Sequence, residues 1–285
     1  MSIKNTKVGL TIISIISLMM TIQLSSQELM PIAELDQTVS RKGEIVWIDE
    51  IVKDAKSSRQ YFGSLLGWKF KNHVAYDLAF NGNKPLSGII EDKELLNSEK
   101  SSYWVVSIAV TDIEEVCKRI EGAGGKIITK PIGIEGRGKV ALVQDNQNAY
   151  FALLENPEGQ PKASAPKDGE WMWAELWTKD VKKAQSFYSK TLGIEVRKMK
   201  GSDSEAYVIL SGDSYEFAGI TKIPAEDEQP IWIPVLRVKD VESMVKRSNE
   251  LGGSELIEPV VISTKKVALI STPSGAPFMI QEWTD

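Results

Sequence analysis

The sequence contains one cysteine, Cys117, and one histidine, His73, in 285 residues. A single cysteine excludes an intrachain disulfide, and a single histidine excludes metal sites built from several histidines and cysteines. Zinc fingers, the HExxH motif of metalloproteases and the two-histidine iron site are therefore excluded by composition. Cys117 has no nucleophile motif around it, and its apolar helix face predicts a buried structural thiol.

Basic residues are also too few for a protein that binds nucleic acid. Lys and Arg number 34 against 39 Asp and Glu, which gives a net charge of −5. No stripe of Lys and Arg is present to neutralise a phosphate backbone, so no nucleic-acid partner is expected. With 42% apolar and 26% charged residues, the chain is long enough for one large or two ordinary domains with hydrophobic cores.

The amino-terminal segment has the pattern of a secretory signal peptide. Lys4 and Lys7 precede an uncharged run over residues 8–22, which is shorter than the roughly 20 residues that span a bilayer. Cleavage after Ser26 removes both lysines and leaves a mature chain of net charge −7. We predict export to the periplasm or the medium, with no membrane contact after cleavage. An uncleaved anchor is the alternative, because residues 8–27 carry no charge.

The mature sequence consists of two similar halves. Residues 43–49 align with residues 169–175 at an offset of 126, and residues 104–131 align with residues 232–259 at an offset of 128. The polar segment between the halves contains three prolines. The predicted segments are a signal peptide (1–26), a leader (27–42), a first domain (43–155), a linker (156–168) and a second domain (169–285).

Each half is itself a repeat of a shorter unit. In every unit an Asp that suits a helix N-cap precedes, by thirteen residues, a Gly that suits the left-handed position after the helix. Short alternating apolar stretches between turns then predict strands. The sequence therefore predicts an α+β fold of four βαβββ units in two pairs. The four Asp and Gly pairs are Asp54 and Gly67, Asp112 and Gly125, Asp180 and Gly193, and Asp240 and Gly253.

The strings that open each half resemble a known family. Val46-Trp47-Ile48-Asp49 is followed by Tyr61-Phe62 and Leu66-Gly67-Trp68, and similar strings open the second half. With the four units, they resemble the vicinal oxygen chelate superfamily of glyoxalases, bleomycin-resistance proteins and extradiol dioxygenases. The resemblance covers residues 43–283. It implies two domains, each with a cupped mixed sheet and helices outside, and therefore one cup in each half.

The resemblance also indicates where a metal would bind. Members that bind metal take ligands from the first strand and a late strand of each unit pair, and these positions fall at Trp47, Trp173, Ala152 and Met279. None of these side chains is a ligand for a hard or borderline divalent ion. We therefore expect no metal and no other cofactor. A site made of carboxylates alone stays open as an alternative.

Period-two alternation places an aromatic residue and a carboxylate together on one face of each first strand, and the resemblance implies that this is the cup face. These are Trp47 and Asp49 in the first half and Trp173 and Glu175 in the second. A flat apolar wall beside a hydrogen-bond acceptor is typical of a small-molecule site. Both carboxylates are equally compatible with a structural role. Equivalent second-strand positions add Tyr76 and Tyr207 to the candidate ligand-binding residues.

Other polar and aromatic residues are assigned to packing or solvent. Trp104 and Trp232 are expected on the helix side of the sheets, in the core. Glu50 also faces the helix side, where we expect a Lys or Arg partner or weaker packing. Gly136-Arg137-Gly138 lacks the spacing of a phosphate-binding loop, and we expect a flexible turn with a solvated Arg137.

Three functions from different classes are compatible with these residues. The first is an exported, metal-free protein that binds a small molecule in its cups. The second is a metal-independent lyase, isomerase or hydrolase with Asp49 or Glu175 as general base. The third is an interaction scaffold whose tryptophans are buried in a contact. The oligomeric state stays open, although the duplication already supplies the pairing that single-unit relatives obtain by dimerising and is therefore compatible with a monomer.

Overall fold

The computed structural model describes residues 35–36, 41–73, 76–92, 102–134, 136–161, 164–198, 208–211, 216–224, 228–262 and 264–283. The predicted signal peptide, most of the leader and Tyr207 lie outside these ranges. Within them, no helix has the length and apolar character needed to cross a membrane. The architecture below concerns these residues alone.

The first half folds into one mixed sheet with two helices. Helix α1 (Ala55–Leu66) follows the first long strand, and helix α2 (Ile113–Gly122) follows the strand that opens the second unit. The order across the sheet is β3-β4-β5-β2-β6-β10-β9-β7, with β8 also paired to β9. Pairs β2·β5 and β6·β10 are parallel and the others are antiparallel. The strands are β2 (Ile45–Val52), β3 (Lys69–Asn72), β4 (Asp77–Asn81), β5 (Lys84–Glu91), β6 (Tyr103–Ala109), β7 (Lys126–Ile127), β8 (Ile132–Ile134), β9 (Gly138–Gln144) and β10 (Tyr150–Glu155).

The second half repeats this topology. Its sheet has the order β13-β14-β15-β12-β16-β19-β18-β17, with helices α3 (Val181–Leu192) and α4 (Val241–Glu250). The expected α+β fold of four βαβββ units in two cupped sheets is therefore confirmed. The strands are β12 (Trp171–Thr178), β13 (Glu195–Lys198), β14 (Val208–Ser211), β15 (Glu216–Lys222), β16 (Ile231–Val238), β17 (Ser254–Ile262), β18 (Lys265–Ser271) and β19 (Pro277–Glu282).

All four helices begin at the predicted aspartates. The carboxylates of Asp54, Asp112, Asp180 and Asp240 each accept a backbone N–H from the first turn, which satisfies a donor that has no partner inside the helix. At the other end, α1 and α3 stop at Gly67 and Gly193, both in the left-handed conformation predicted from the sequence.

The glycine prediction was wrong for α2 and α4. The left-handed residues after these helices are Gly124 and Gly252, one position before the glycines that the thirteen-residue interval singles out. Gly125 is needed for a close approach instead, because a Cβ there would lie 2.5 Å from the carbonyl oxygen of Gln144. Gly253 is equally tight against Ser248 and Ser271. The thirteen-residue interval that the four units share thus has two different physical causes.

The helices cover the outer faces of the cups and pack between the two halves. Helix α1 contacts α4, and α2 contacts α3. Aromatic rings from both halves meet there, with the Trp104 ring 4.9 Å from that of Trp171 and the Phe62 ring 5.8 Å from that of Phe278. One hydrophobic cluster therefore spans both halves.

The residues assigned to packing from the sequence lie in this shared core. Trp104 and Trp232 are both buried in it. Cys117 is buried as well, and burial raises the pKa of its thiol to about 11. Each of these three predictions from the sequence is confirmed.

Polar contacts accompany the apolar ones at the junction of the halves. Trp68 Nε1 donates to the carbonyl oxygen of Gly169 at 2.8 Å, and the Tyr61 and Ser248 hydroxyls share a hydrogen bond of 2.6 Å. Lys84 on β5 forms an ion pair of 2.7 Å with Glu170, which lies just before β12. The linker adds a short pairing of β11 (Gln160–Pro161) with β1 (Leu35–Asp36).

Glu50 corrects an expectation from the sequence. Its side chain is fully buried on the helix side of β2, but the expected Lys or Arg partner is replaced by hydroxyl groups. Ser58 on α1 donates to its Oε2, and the hydroxyl of Thr272 from the second half also faces the carboxyl. Burial raises the pKa of Glu50 to about 7, against the weaker opposite effect of the hydroxyls. Neutral hydroxyl donors are enough to satisfy the buried carboxyl group of Glu50, because this group does not need to be ionised.

Candidate functional site

The candidate residues of the first half meet on the concave face of its sheet, here called the first cup. Trp47 and Asp49 lie two residues apart on β2, so both side chains point to the same face. Trp47 Nε1 donates to Asp49 Oδ1 at 2.9 Å. Tyr76 joins them, because its hydroxyl donates to the same oxygen at 2.9 Å. The structure thus brings together the three residues that the sequence predicts for this cup.

Arg137 completes this cluster, and the expectation of a solvated arginine was wrong. Arg137 is only 7% exposed, and its guanidinium carbon lies 4.1 Å from the centre of the Tyr76 ring and 5.5 Å from that of Trp47. Its Nη1 is 3.9 Å from Asp49 Oδ2. Burial opposes the charge, but Tyr76 and Asp49 outweigh it and hold the pKa of Arg137 above its usual value.

A glycine makes room for this cluster on the neighbouring strand. Gly88 on β5 pairs with Asp49, and a Cβ at Gly88 would lie 2.0 Å from the Tyr76 hydroxyl and 2.1 Å from Asp49 Oδ1. Burial also raises the pKa of Tyr76, with Asp49 adding to the rise and Arg137 opposing it. Tyr76 is therefore a neutral donor to Asp49 at physiological pH.

Apolar side chains close the rest of the first cup. Ile134 on β8 is buried in the cluster that contains Trp47 and Tyr76, and Ile128 and Ile132 pack against that cluster. These three isoleucines are here called the first covering segment. The turn that follows them, from Ile134 to Gly138, carries Arg137 into the cup. The first cup is therefore filled by the protein's own side chains.

The second half repeats the central pair. Trp173 and Glu175 lie two residues apart on β12, and Trp173 Nε1 donates to Glu175 Oε1 at 2.6 Å. Glu175 pairs with Gly219 of β15, and a Cβ at Gly219 would lie 2.4 Å from Glu175 Oε2. A tryptophan, a carboxylate and a glycine thus share one arrangement in both halves. The concave face that carries Glu175 is here called the second cup.

The surroundings of the second pair are more open than those of the first. Trp173 is half-buried, as is Trp177 two residues beyond Glu175, whereas Trp47 is buried in the first cup. Tyr207, the predicted counterpart of Tyr76, lies outside the described residues. Glu175 is only 6% exposed, so the two half-buried tryptophans, and not the carboxylate, line the accessible part of the second cup.

The hairpin register identifies the second-half counterparts of the first covering segment. Ile132 and Ile134 pair with Val140 and Gly138 in the first half. Val260 and Ile262 pair with Val267 and Lys265, the residues at the matching positions of β18. Leu256 likewise corresponds to Ile128 at the offset of 128. Leu256, Val260 and Ile262 are here called the second covering segment.

The side chains of the second covering segment are exposed to solvent and are not packed over the second cup. Leu256, Val260 and Ile262 are 46%, 43% and 59% exposed, whereas Ile134 is 9% exposed. Val260 and Ile262 share the sheet face of buried Val267, so their apolar surface borders the cup. Two residues separate β17 from β18 in the sequence, against three between β8 and β9, and neither of the two is an arginine.

Comparisons with known proteins agree with this architecture. The family model described as Glyoxalase/Bleomycin resistance protein/Dioxygenase superfamily matches residues 172–280. The anthracycline biosynthesis protein DauV of Streptomyces sp. strain C5 is 32% identical, and the match covers 84% of this chain and 93% of that protein. The chain belongs to the glyoxalase/bleomycin resistance protein/dioxygenase superfamily.

Solved structures with the same fold match well beyond the residues of the family model. The Mn(II)-bound glyoxalase of Novosphingobium aromaticivorans has a TM-score of 0.62 at 13% identity, covering 86% of this chain and 83% of that one. The 2,3-dioxygenase LapB of Pseudomonas sp. KL28 has a TM-score of 0.59 at 11% identity, covering 86% and 94%. At these identities the likeness concerns the fold alone.

The residues at the superfamily's metal positions do not fit a metal. Trp47 and Ala152 both pair with Ser107 of the strand between them, so these positions form one row across the first sheet. Trp173 and Met279 flank β16 in the same way in the second sheet. An indole N–H only donates, and alanine and methionine offer no oxygen or imidazole. No step through a metal follows from this set.

Carboxylates do cluster elsewhere, at the start of α2. Asp112, Glu114 and Glu155 offer oxygens within 4.8 Å of one another. Lys139 Nζ lies 3.0 Å from Glu114 and 3.7 Å from Glu155, and Glu155 also accepts the backbone N–H of Ile113. Asp240, Glu242, Glu282 and Lys266 repeat this group at α4. Lysine and helix capping account for both groups, so neither supports the carboxylate-only site.

Sequence reasoning missed Arg137 as a member of the first cup. The signal was available, because the first-half turn is one residue longer than its counterpart and has a glycine on each side of the arginine. Gly136 and Gly138 have φ values of 74° and 95°, a left-handed backbone conformation that favours glycine. The direction of a side chain in a turn depends on the tertiary fold. The residue pattern of a single sequence does not contain that information.

Proposed function

We propose that this superfamily member is a small-molecule binding protein whose ligand occupies the second cup. The proposal rests on one observation, the exposure of Leu256, Val260 and Ile262. Their counterparts in the first half cover a cup that Arg137 fills. Exposed apolar side chains beside a concave face are a common mark of a binding site.

The walls of the second cup support a flat, partly apolar ligand. Trp173 and Trp177 offer ring faces, and Glu175 lies buried between them on the same strand, where it accepts from Trp173. A bound flat molecule would cover these rings and the second covering segment together. In the first cup the same strand positions are already buried against Arg137 and the isoleucines. We propose binding there only after those groups move.

An enzyme is the second candidate, with Glu175 as general base. Asp49 suits this role less well, because it accepts from Trp47 and Tyr76 and faces Arg137 inside a closed cup. The scaffold hypothesis expects both cups to be closed, and the half-buried Trp173 and Trp177 in the single chain do not support that part of it. Turnover that disappears in Glu175→Gln, with ligand binding retained, would favour the enzyme.

Tryptophan fluorescence tests the binding proposal directly. The mature chain is titrated with a library of flat aromatic compounds, and an anthracycline is included because a relative is named for anthracycline biosynthesis. We expect at least one compound to quench the emission in a saturable way. Trp173→Phe should weaken this response strongly, because its ring forms the wall of the second cup.

Trp47→Phe is the matched control in the first cup. It removes the equivalent tryptophan, so quenching should persist with the affinity of the unmodified protein. Loss of quenching in Trp47→Phe alone would move the site to the first cup and contradict the proposal. No saturable response to any compound, with the protein shown to be folded by circular dichroism, would favour the scaffold.

Export and the absence of a resident metal complete the proposal. The amino-terminal pattern of Lys4, Lys7 and the uncharged run supports export, and mass spectrometry of the secreted protein should give a mature chain that begins at Gln27. The donor set at Trp47, Ala152, Trp173 and Met279 supports a metal-free site. Elemental analysis of protein purified without chelator should give far less than one divalent ion per chain.

A further inference from the structure

The two hairpins that carry the covering segments differ at one position beside their turns. In the first half, Gly138 on β9 pairs with Ile134, the last residue of β8. In the second half, Lys265 on β18 pairs with Ile262, the last residue of β17. The residue that lies directly opposite the end of each covering segment is therefore a glycine in one half and a lysine in the other.

The first-half position has no room for a side chain. Gly138 has a φ of 95°, and a Cβ there would lie 2.2 Å from the carbonyl oxygen of Glu155 and 2.9 Å from the Cα of Asn156. The tip of this hairpin therefore lies directly on the chain that leaves β10. Its residues Ile134 and Arg137 are both buried in the first cup. A residue with a Cβ at this position would force the tip away from β10.

The second-half position holds a side chain that lies on a tryptophan. Lys265 Nζ is 4.1 Å from the ring centre of Trp283, and an aromatic face attracts a cation. Trp283 is the counterpart of Asn156, because both directly follow a glutamate that ends its strand. These two glutamates each accept the first backbone N–H of the neighbouring helix. Two bulky side chains thus lie where the first-half hairpin rests on the chain.

The base of the hairpin is the same in both halves, so the difference is confined to the tip. Lys266 on β18 forms ion pairs of 2.8 and 3.7 Å with two glutamates, and Lys139 on β9 forms ion pairs of 3.0 and 3.7 Å with their counterparts. The register of the last strand pairs is also the same. Charge and register therefore do not account for the exposure of the second covering segment. The glutamates are Glu242 and Glu282 in the second half and Glu114 and Glu155 in the first.

We propose that Lys265 is a positioning residue that holds the second covering segment away from its cup and so keeps the cup open. The Cβ of Lys265 prevents the close approach that Gly138 makes in the first half, and Trp283 holds the rest of the side chain. Without that Cβ, burial of Val260 and Ile262 over the cup is favourable, because both are exposed apolar side chains. The effect on ligand binding rests on the proposed function, whereas the position of the hairpin does not.

Thiol reactivity measures the position of the hairpin without any ligand. Ile262→Cys places a thiol on the second covering segment, and the native thiol, Cys117, is buried. Lys265→Gly and Lys265→Ala are then compared in this protein, because both remove the charge and only alanine keeps the Cβ. We expect the thiol of Ile262→Cys to react with a water-soluble disulfide at least about tenfold more slowly beside Lys265→Gly than beside Lys265→Ala. Equal rates would overturn the proposal.

Gly138→Ala is the reciprocal test in the first half. The added Cβ should move that hairpin off β10 and raise the reaction rate of Ile134→Cys at least about tenfold. Unchanged protection of Ile134→Cys in a folded Gly138→Ala protein would overturn the proposal as well. If Gly138→Ala does not fold, the comparison of the two Lys265 variants still decides the question.

Nile red, a flat uncharged dye, tests the effect on the cup. Its fluorescence should show binding at least about tenfold tighter to Lys265→Ala than to Lys265→Gly, because only the alanine variant keeps the cup open. Equal affinities in two variants that differ in thiol rate would overturn the claim that Lys265 keeps the cup open to a ligand.

The two measurements separate this inference from the proposed function. Equal thiol rates together with saturable binding of Nile red would overturn the role of Lys265 and leave small-molecule binding intact. Different thiol rates, without binding of Nile red or of any library compound, would support that role and overturn the proposed function.

Discussion

The two cups share a pair of residues and differ in what surrounds it. In the first, Trp47 and Asp49 are buried under Arg137 and three isoleucines. In the second, Trp173 is half-buried and the matching apolar side chains are exposed. The connection between β8 and β9 is also one residue longer than that between β17 and β18, and it contains Arg137. A duplication has thus left one copy as a packed core and the other with an accessible face.

The strongest test of this difference removes the arginine. Arg137→Ala leaves Asp49 buried without its cation, and breaking a buried charge pair costs about 4 kcal/mol. We expect a loss of this order in the free energy of unfolding, measured by urea denaturation. Thr264→Ala, at the matching turn, should change it by less than about 0.5 kcal/mol. Equal effects of the two substitutions would mean that the first cup does not depend on Arg137.

The faces of β2 and β12 that pack against the helices differ as well. β2 has Glu50 at the position where β12 has Leu176. The folded state binds the Glu50 proton more tightly than the unfolded state does, because its pKa rises from 4.5 to about 7. The free energy of unfolding should therefore fall as pH rises from about 4.5 to 7, by up to about 3 kcal/mol.

Glu50→Gln isolates this contribution. The amide stays neutral and still meets Ser58 and Thr272, so the variant should be more stable than the unmodified protein at pH 8 and have a flatter pH profile. Asp77 and Asp145 also have raised pKa values, so part of the slope should remain in both proteins. Identical pH profiles for the two proteins would show that Glu50 does not titrate in this range.

The covering segments provide the smallest comparison. Ile134→Ala should cost about 2 kcal/mol, because it leaves a space in the packed first cup. Ile262→Ala, at the matching position, should cost less than about 0.5 kcal/mol, because that side chain is mostly in solvent. Thermal denaturation of the two variants would check this. A large loss for Ile262→Ala would indicate that the second covering segment is packed in solution.

The sequence predicted the features that depend on local patterns. The duplication, the four aspartate caps and the buried Trp104, Trp232 and Cys117 follow from repeats, capping chemistry and apolar spacing. The position of Asp49 beside Trp47 also follows, because strand alternation decides which face a side chain takes, whereas the direction of Tyr76 could not be predicted. These predictions needed no knowledge of distant contacts.

The features that failed depend on contacts between distant segments. The partners of Glu50 come from α1 and from Thr272 in the other half, more than 200 residues away, so neighbouring charges gave no guide to them. Arg137 lies in a polar turn, where solvation is the usual outcome. Its burial follows from the tertiary fold, which places that turn above Trp47.

The aromatic core between the halves affects which parts of this protein can accept substitutions during evolution. Because Phe62, Trp104, Trp171 and Phe278 join the halves, neither half keeps its helix-side packing alone, and the two should melt in one calorimetric transition. Much of the free energy that stabilises the fold therefore comes from packing that lies away from the second cup. Substitutions of exposed side chains beside the second cup, such as Val260 and Ile262, should then cost little stability, so this half tolerates sequence change better than the first.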